Sequence, residues 1–283
     1  MSGLSLGLVL TAAMLHASWN LLVKKSSNKY IFTWWSVIVG VVVFSPLLLR
    51  ADIQSPLWLY LFPSAVLEAV YFVVLSSAFE KGDFSLVYPI ARGAAPIFLL
   101  LWSTIFLQER PSERGLVCIA AIVAGLVLVG GSESLFKERR LQNRSAIVLA
   151  LFVSFLISLY SIIDAAAVRQ VDPLPYIILV FSLTALLLTP FMVRRYGWAV
   201  LKQGFLEDRK HIAFAGIMSV AAYLLTLFAY QRSKVSYVGA VREVSIVFGA
   251  FAGWVFLKEA FGKYRIVGAC VIFLGILIMA LSA

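Results

Sequence analysis

Residues 106–129 read FLQERPSERGLVCIAAIVAGLVLV, and residues 256–279 read FLKEAFGKYRIVGACVIFLGILIM. The two stretches align at an offset of 150, which sets Glu109 on Glu259. Upstream, AFEKGDFS at 78–85 matches AYQRSKVS at 229–236, and HASWNLLVKK at 16–25 matches YSIIDAAAVRQ at 160–170, with His16 on Tyr160 and Asn20 on Asp164. Polar anchors that recur at matching places among apolar residues are the mark of a duplicated chain. Each copy is too apolar to stand in water. The chain of 283 residues is 62% hydrophobic and 13% charged, against about 45–50% and 25% for soluble domains. Its mean hydropathy is +0.96. That composition excludes a water-soluble enzyme, a disordered tail and a nucleic-acid-binding domain. The net charge of +10 instead suits loops facing anionic lipid. Cys118 and Cys270 both lie in apolar runs, so neither a disulfide framework nor a thiolate metal site is expected.

A helix needs about 20 mostly apolar residues to cross a bilayer. That criterion gives ten segments: 4–23, 30–49, 56–79, 84–107, 115–131, 146–168, 175–193, 212–231, 237–257 and 264–281. Membrane strands would be about ten residues long with period-two alternation, so the segments read as helices. The first segment lacks a basic flank and a small-residue cleavage site, and reads as a retained span. Tyr196, Trp198 and Phe205, beside Arg194, Arg195 and Lys202, place part of the loop at 194–211 on the bilayer surface. The expected fold is an all-α membrane protein: ten transmembrane helices as two five-helix repeats, 1–131 and 145–283, joined by a linker at 132–144. An odd number of crossings inverts the second repeat relative to the first. Sixteen of the 24 Lys and Arg residues lie in the loops after odd-numbered spans and six in the loops after even ones. The positive-inside rule then puts the odd loops in the cytoplasm and both termini outside.

The twofold pattern of a polar turn, a helix, ER or KE, a short loop and a Gly-rich helix resembles the EamA-type module of the drug/metabolite transporter superfamily over nearly the whole chain. The opening LHASWNLLVK is similar to a subgroup associated with phosphonate utilisation. The resemblance implies ten helices around a central cavity, alternating access, and small-metabolite transport without ATP hydrolysis in a cell (inner) membrane. It also implies cytoplasmic termini, against the charge count.

Charged side chains in a span each cost about 2.5–3.5 kcal/mol on insertion scales, so each one marks a candidate site. Arg92 lies about 12 Å into span 4 at 1.5 Å per residue, in a helix that also carries Pro89, Gly93 and Pro96, with Tyr88 one turn earlier. It is read either as a substrate cation or as a structural partner of Glu68. Arg242 occupies the matching place in span 9, next to Glu243. The two arginines approach the midplane from opposite faces and converge on one anion; alternatively, Arg242 snorkels to the interface with Glu243 capping it. Sugar-phosphate members of the superfamily place cations on the same two helices. Glu68, with Tyr71 and Phe72 one turn along, binds a proton, grips an amine, or neutralises Arg92. His16 is a proton relay or a packing histidine. Asn20 and Asp164 lie about one turn from helix ends, either at the interface or facing the cavity. Trp19, Tyr160 and Tyr223 are candidate cavity lining. The expected substrate-binding set is therefore Arg92, Arg242, Glu68, Glu243, Tyr88, Tyr71, His16, Asn20, Tyr160, Asp164 and Tyr223. Glu109 and Glu259 read as local structural caps. Gly125, Gly130, Gly268 and Gly275 suit packing, or a homodimer through spans 5 and 10.

These residues point to a carrier for a small anionic or zwitterionic metabolite such as an organophosphate, a phosphonate or an amino acid, with membrane lipid as its surroundings and no nucleic acid, metal or cofactor. A carrier of lipophilic cations would instead show unpaired carboxylates and aromatics in its cavity. The chain carries no H-E-x-x-H, G-x-S-x-G or G-x-x-x-x-G-K-[ST], which argues against an intramembrane enzyme or an ATP-driven pump.

Overall fold

The computed structural model describes residues 1–51, 57–130 and 144–257, and residues 267, 268, 270–272, 274, 275 and 278 near the C-terminus. Among these the chain is helical, with no strand. It forms α1 (Gly3–Lys25), α2 (Lys29–Phe44, extended by a 3-10 turn at Ser45–Arg50), α3 (Leu57–Lys81), α4 (Phe84–Gly93), α5 (Ala95–Phe106) and α6 (Glu113–Gly130). Then follow α7 (Arg144–Ala167), α8 (Pro173–Tyr196), α9 (Trp198–Arg232), α10 (Val235–Arg242) and α11 (Ser245–Leu257). Six helical stretches among the described residues are long and apolar enough to cross a bilayer: Gly3–Lys25, Lys29–Leu49, Leu57–Lys81, Arg144–Ala167, Pro173–Tyr196 and Trp198–Arg232. The linker expected at 132–144 lies outside the described residues up to 143, as do Glu259 and much of the tenth expected span.

Caps fix the helix starts. Asn28 accepts from the backbone N–H of Tyr30 and Ile31 at 3.1 Å, and Asp172 accepts from Leu174 N–H at 2.8 Å, each satisfying donors that the first turn leaves open. Gly197 ends α8 with a φ of +73°, a conformation that costs glycine nothing.

Helix pairing between the halves is unchanged when the halves are exchanged. The first helix of each half packs on the third helix of the other, α1 on α9 and α7 on α3. Each also meets the other half's fourth segment, α1 touching α10 and α11 while α7 touches α4 and α5; α2 and α8 pack together. Lipid provides no hydrophobic drive between helices, so close approach depends on small residues. Gly216 on α9 shows this: a Cβ there would stand 2.3 Å from the Ser36 carbonyl oxygen and 2.9 Å from the Gly40 nitrogen on α2. Both obstacles are backbone, so Gly216→Ala must push the helices apart. We expect a loss of about 1–3 kcal/mol, read as a lower Tm in detergent. Gly125 and Gly275 play the same part between α6 and the C-terminal helical residues: a Cβ on Gly125 would meet the Gly268 carbonyl at 2.7 Å, and one on Gly275 would meet the Cys118 carbonyl at 3.2 Å.

Two expectations are corrected here. Spans 4 and 9 are each broken in the middle, α4 giving way to α5 at Ala94 and α10 to α11 at Glu243–Val244. The first break has an obvious cause, since Pro96 has no N–H and its ring opposes the carbonyl four residues back. In addition, span 8 does not begin at 212. Helix α9 starts at Trp198 and kinks at Asp208 (φ −127°, ψ 22°). Its first turns form an aromatic-rich surface segment: Trp35 donates to the Leu201 carbonyl at 2.8 Å, and Phe205 lies 4.8 Å from the Trp35 ring. The stretch expected as a loop at 194–211 is thus helical from Trp198 and packs on α2.

Candidate functional site

The two helix breaks set Arg92 and Arg242 at the ends of short helices, where the C-terminal dipole favours a cation. Both side chains are buried, 2% and 3% exposed, so Arg242 does not snorkel to the interface. The anion they share belongs to the chain itself. Arg92 Nε donates to Glu243 Oε2 at 2.8 Å, and Arg242 Nε stands 3.7 Å from Glu243 Oε1. Glu68 is therefore not the partner of Arg92, as the sequence allowed. Arg92 Nη1 also lies 3.3 Å from His16 Nε2, and Arg242 Nη2 donates to Ser161 Oγ at 3.4 Å. Each guanidinium keeps one nitrogen without a hydrogen-bond partner among the described residues: Nη2 of Arg92 and Nε of Arg242.

Beside this cluster lies a small cavity of about 20 Å³ lined by His16, Trp19, Glu68, Tyr71, Phe72, Tyr160, Phe181, Ser219 and Tyr223. That volume suits about one water molecule. The wall is aromatic: Tyr71 meets Tyr160 edge-on at 5.6 Å, Tyr160 meets Tyr223 at 5.7 Å, and Phe181 stacks near Tyr223. Glu68 is the acidic member of the lining, and its Oε2 has no hydrogen-bond partner among the described residues. His16 joins the two regions. Its Nε2 faces Arg92, and its Nδ1 accepts from the Trp19 indole N–H at 3.3 Å.

The expected site residues divide by place. His16, Glu68, Tyr71, Tyr160 and Tyr223 line the cavity, and Arg92, Arg242 and Glu243 form the ion cluster next to it. Asp164 and Asn20 are buried within the protein. Asp164 sits behind the lining, accepting from the Tyr176 hydroxyl at 2.6 Å and from the Tyr223 hydroxyl. Asn20 Nδ2 donates to the His16 carbonyl at 2.9 Å. Tyr88 packs away from the cavity, stacked on Phe84 at 4.8 Å and against Gly249 of α11. Phe181, Ser219 and Tyr176 were not anticipated. Ser219 stands one turn before Tyr223, a spacing that marks a shared face; nothing in the sequence singles out Tyr176 or Phe181.

Glu109 caps across the halves and not locally. It accepts from Arg169 Nη2 at 2.6 Å and from the backbone N–H of Val235 at 3.0 Å and of Ser236 at 3.4 Å. A carboxylate from the first half thus holds the N-terminus of α10 in the second.

Two like halves of membrane-spanning helices, with ionised groups buried between them, define a polytopic membrane protein with an internal polar site. A crystal structure of a protein at 17% identity matches the fold with a TM-score of 0.78, covering 100% of this chain and 98% of that one. No curated protein matches the sequence. Residues 3–131 and 144–281 match the EamA-like transporter family, and the chain belongs to that family. It is a multi-pass membrane transporter of the drug/metabolite superfamily, whose EamA members are transporters and not enzymes.

Proposed function

We propose that this protein is a secondary transporter of a small zwitterionic metabolite, such as an amino acid or an aminophosphonate, working by alternating access in a cell's inner membrane. Ten spans arranged as inverted repeats, 1–131 and 145–283, supply the two interchangeable conformations. The observation that carries the substrate class is the unpartnered oxygen of Glu68 in an aromatic wall. A buried carboxylate with a free acceptor, ringed by π faces, favours an ammonium group. The acid end of the same molecule would turn to Arg92, whose Nη1 lies against the cavity residue His16 and whose Nη2 has no hydrogen-bond partner among the described residues. A purely anionic organophosphate suits the lining less well, because the cations beside it already share Glu243.

An unpartnered carboxylate in an aromatic wall is also the pattern expected of a carrier of lipophilic cations, so the same observation supports that second reading, in which Glu68 acts alone. The zwitterion reading differs from it by the arginines beside the cavity. Counterflow in proteoliposomes separates the two. Amino acids and aminophosphonates should exchange with their own labelled forms, whereas organophosphates and lipophilic cations should not. Saturable exchange of the lipophilic cations alone would replace this reading with the second, and exchange of organophosphates alone would restore the anionic class.

A further inference from the structure

We propose that Asp164 holds an exchangeable proton that couples to transport, in a pocket built by Tyr176 and Tyr223. The proposal rests on the carrier reading above and adds the driving ion to it. Asp164 lies on α7 with no solvent exposure. Among the described residues it forms no ion pair, because Arg92 and Arg242 are both engaged with Glu243. Its hydrogen-bond partners are two phenol hydroxyls, Tyr176 from α8 and Tyr223 from α9. The other groups facing it are Ser64 and Glu68 on α3, Arg242 on α10, and Tyr230 on α9.

Hydroxyl partners leave the protonation state open. A carboxylate held by guanidinium or backbone N–H meets donors only and is locked in its ionised form. A phenol both donates and accepts, so Asp164 can accept from both tyrosines when ionised. When protonated it can donate to one of them while that hydroxyl turns. The charge balance of the buried centre points the same way. Arg92 and Arg242 face three carboxyls, Glu68, Asp164 and Glu243, all buried. With one carboxyl protonated the centre is neutral; with none it carries an excess negative charge, which a low-dielectric interior disfavours. Tyr223 connects this site to the substrate, since its ring lines the cavity and its hydroxyl donates to Asp164. The repeat supplies an internal control: the matching residue of the first half is Asn20, a buried amide that does not titrate.

Two measurements test the assignment. In infrared spectra of the purified protein recorded across pH, a carboxylic C=O band should titrate in the wild type and in Glu68→Gln but be lost in Asp164→Asn. The same titration persisting in folded Asp164→Asn would overturn the proposal without any knowledge of the substrate. In proteoliposomes, one coupled proton lets a gradient of one pH unit support about tenfold accumulation or depletion. With the amino acids and aminophosphonates of the counterflow panel, Asp164→Asn should abolish this response while counterflow stays measurable. If wild-type counterflow occurs but the pH gradient drives nothing, the proton site is wrong and the carrier reading stands. If no panel compound exchanges, the substrate class fails and the infrared result still decides the fate of Asp164. Should Asp164→Asn not fold, Tyr223→Phe takes its place. It keeps the carboxyl but removes one hydroxyl, and it should shift the midpoint of the wild-type band. An unmoved midpoint would overturn the proposal.

Discussion

Arg92→Ala should cost about 3–5 kcal/mol of stability, the penalty for stranding one partner of a buried ion pair. In the wild type Glu243 is 0% exposed and takes its short contact, 2.8 Å, from Arg92 Nε. Arg242 reaches it only at 3.7 Å, which is an attraction and not a hydrogen bond. Removing Arg92 therefore leaves a carboxylate in the membrane interior with no hydrogen-bonded counter-charge, and frees His16 Nε2 as well. Thermal unfolding in detergent, followed by size-exclusion chromatography, should show a much lower Tm and poor recovery. Glu243→Gln in the Arg92→Ala background should recover much of the loss, because it removes the stranded charge. An Arg92→Ala protein with wild-type Tm would mean that the pair contributes nothing to the fold.

Glu68→Gln should behave in the opposite way. Its Oε2 has no partner among the described residues, so the amide gives up no ion pair and stability should stay within about 1 kcal/mol of wild type. Transport should suffer instead. Losing a charge-assisted hydrogen bond to a substrate ammonium costs about 1.5–3 kcal/mol, which corresponds to about a 10- to 100-fold fall in affinity. Counterflow at subsaturating zwitterion checks it, with Tm as the control. The two variants would thus separate a buried charge that holds the protein together from one that serves the proposed substrate.

Six membrane-length helices, the two-part pattern and the buried charges were legible in the sequence because each depends on a local signal: apolar length, repeated polar anchors, or a charge where lipid forbids one. The partners of those charges were not legible. Span length gave the depths of Arg92 and Arg242 and set them apart across the midplane, but not the way the helices turn about their axes. In a soluble helix an apolar stripe fixes that rotation. Here the spans carry only scattered polar residues among apolar ones, so no stripe fixes the rotation, and close contacts such as that of Gly216 on α9 with Ser36 on α2 set it instead. Hence Glu243 read as a substrate ligand or a cap for Arg242 when it is the anion that both arginines share, and the packing of Tyr88 on Phe84 and Gly249 could not be read. The break after Arg92 is marked by Gly93 and Pro96. Its counterpart at Glu243–Val244 carries no proline, and nothing in the sequence marked it.

The most direct test of the account is the sidedness of Ser219, which lines the cavity and is 6% exposed. Ser219→Cys, in a background with Cys118 and Cys270 replaced, introduces a thiol of nearly the same size. A small membrane-impermeant thiol reagent should label it from the outside in right-side-out vesicles and from the cytoplasmic face in inverted ones, as expected if the cavity opens to each face in turn. A folded protein whose Cys at 219 is labelled from neither side, or from one side only under all conditions, would contradict alternating access through this site.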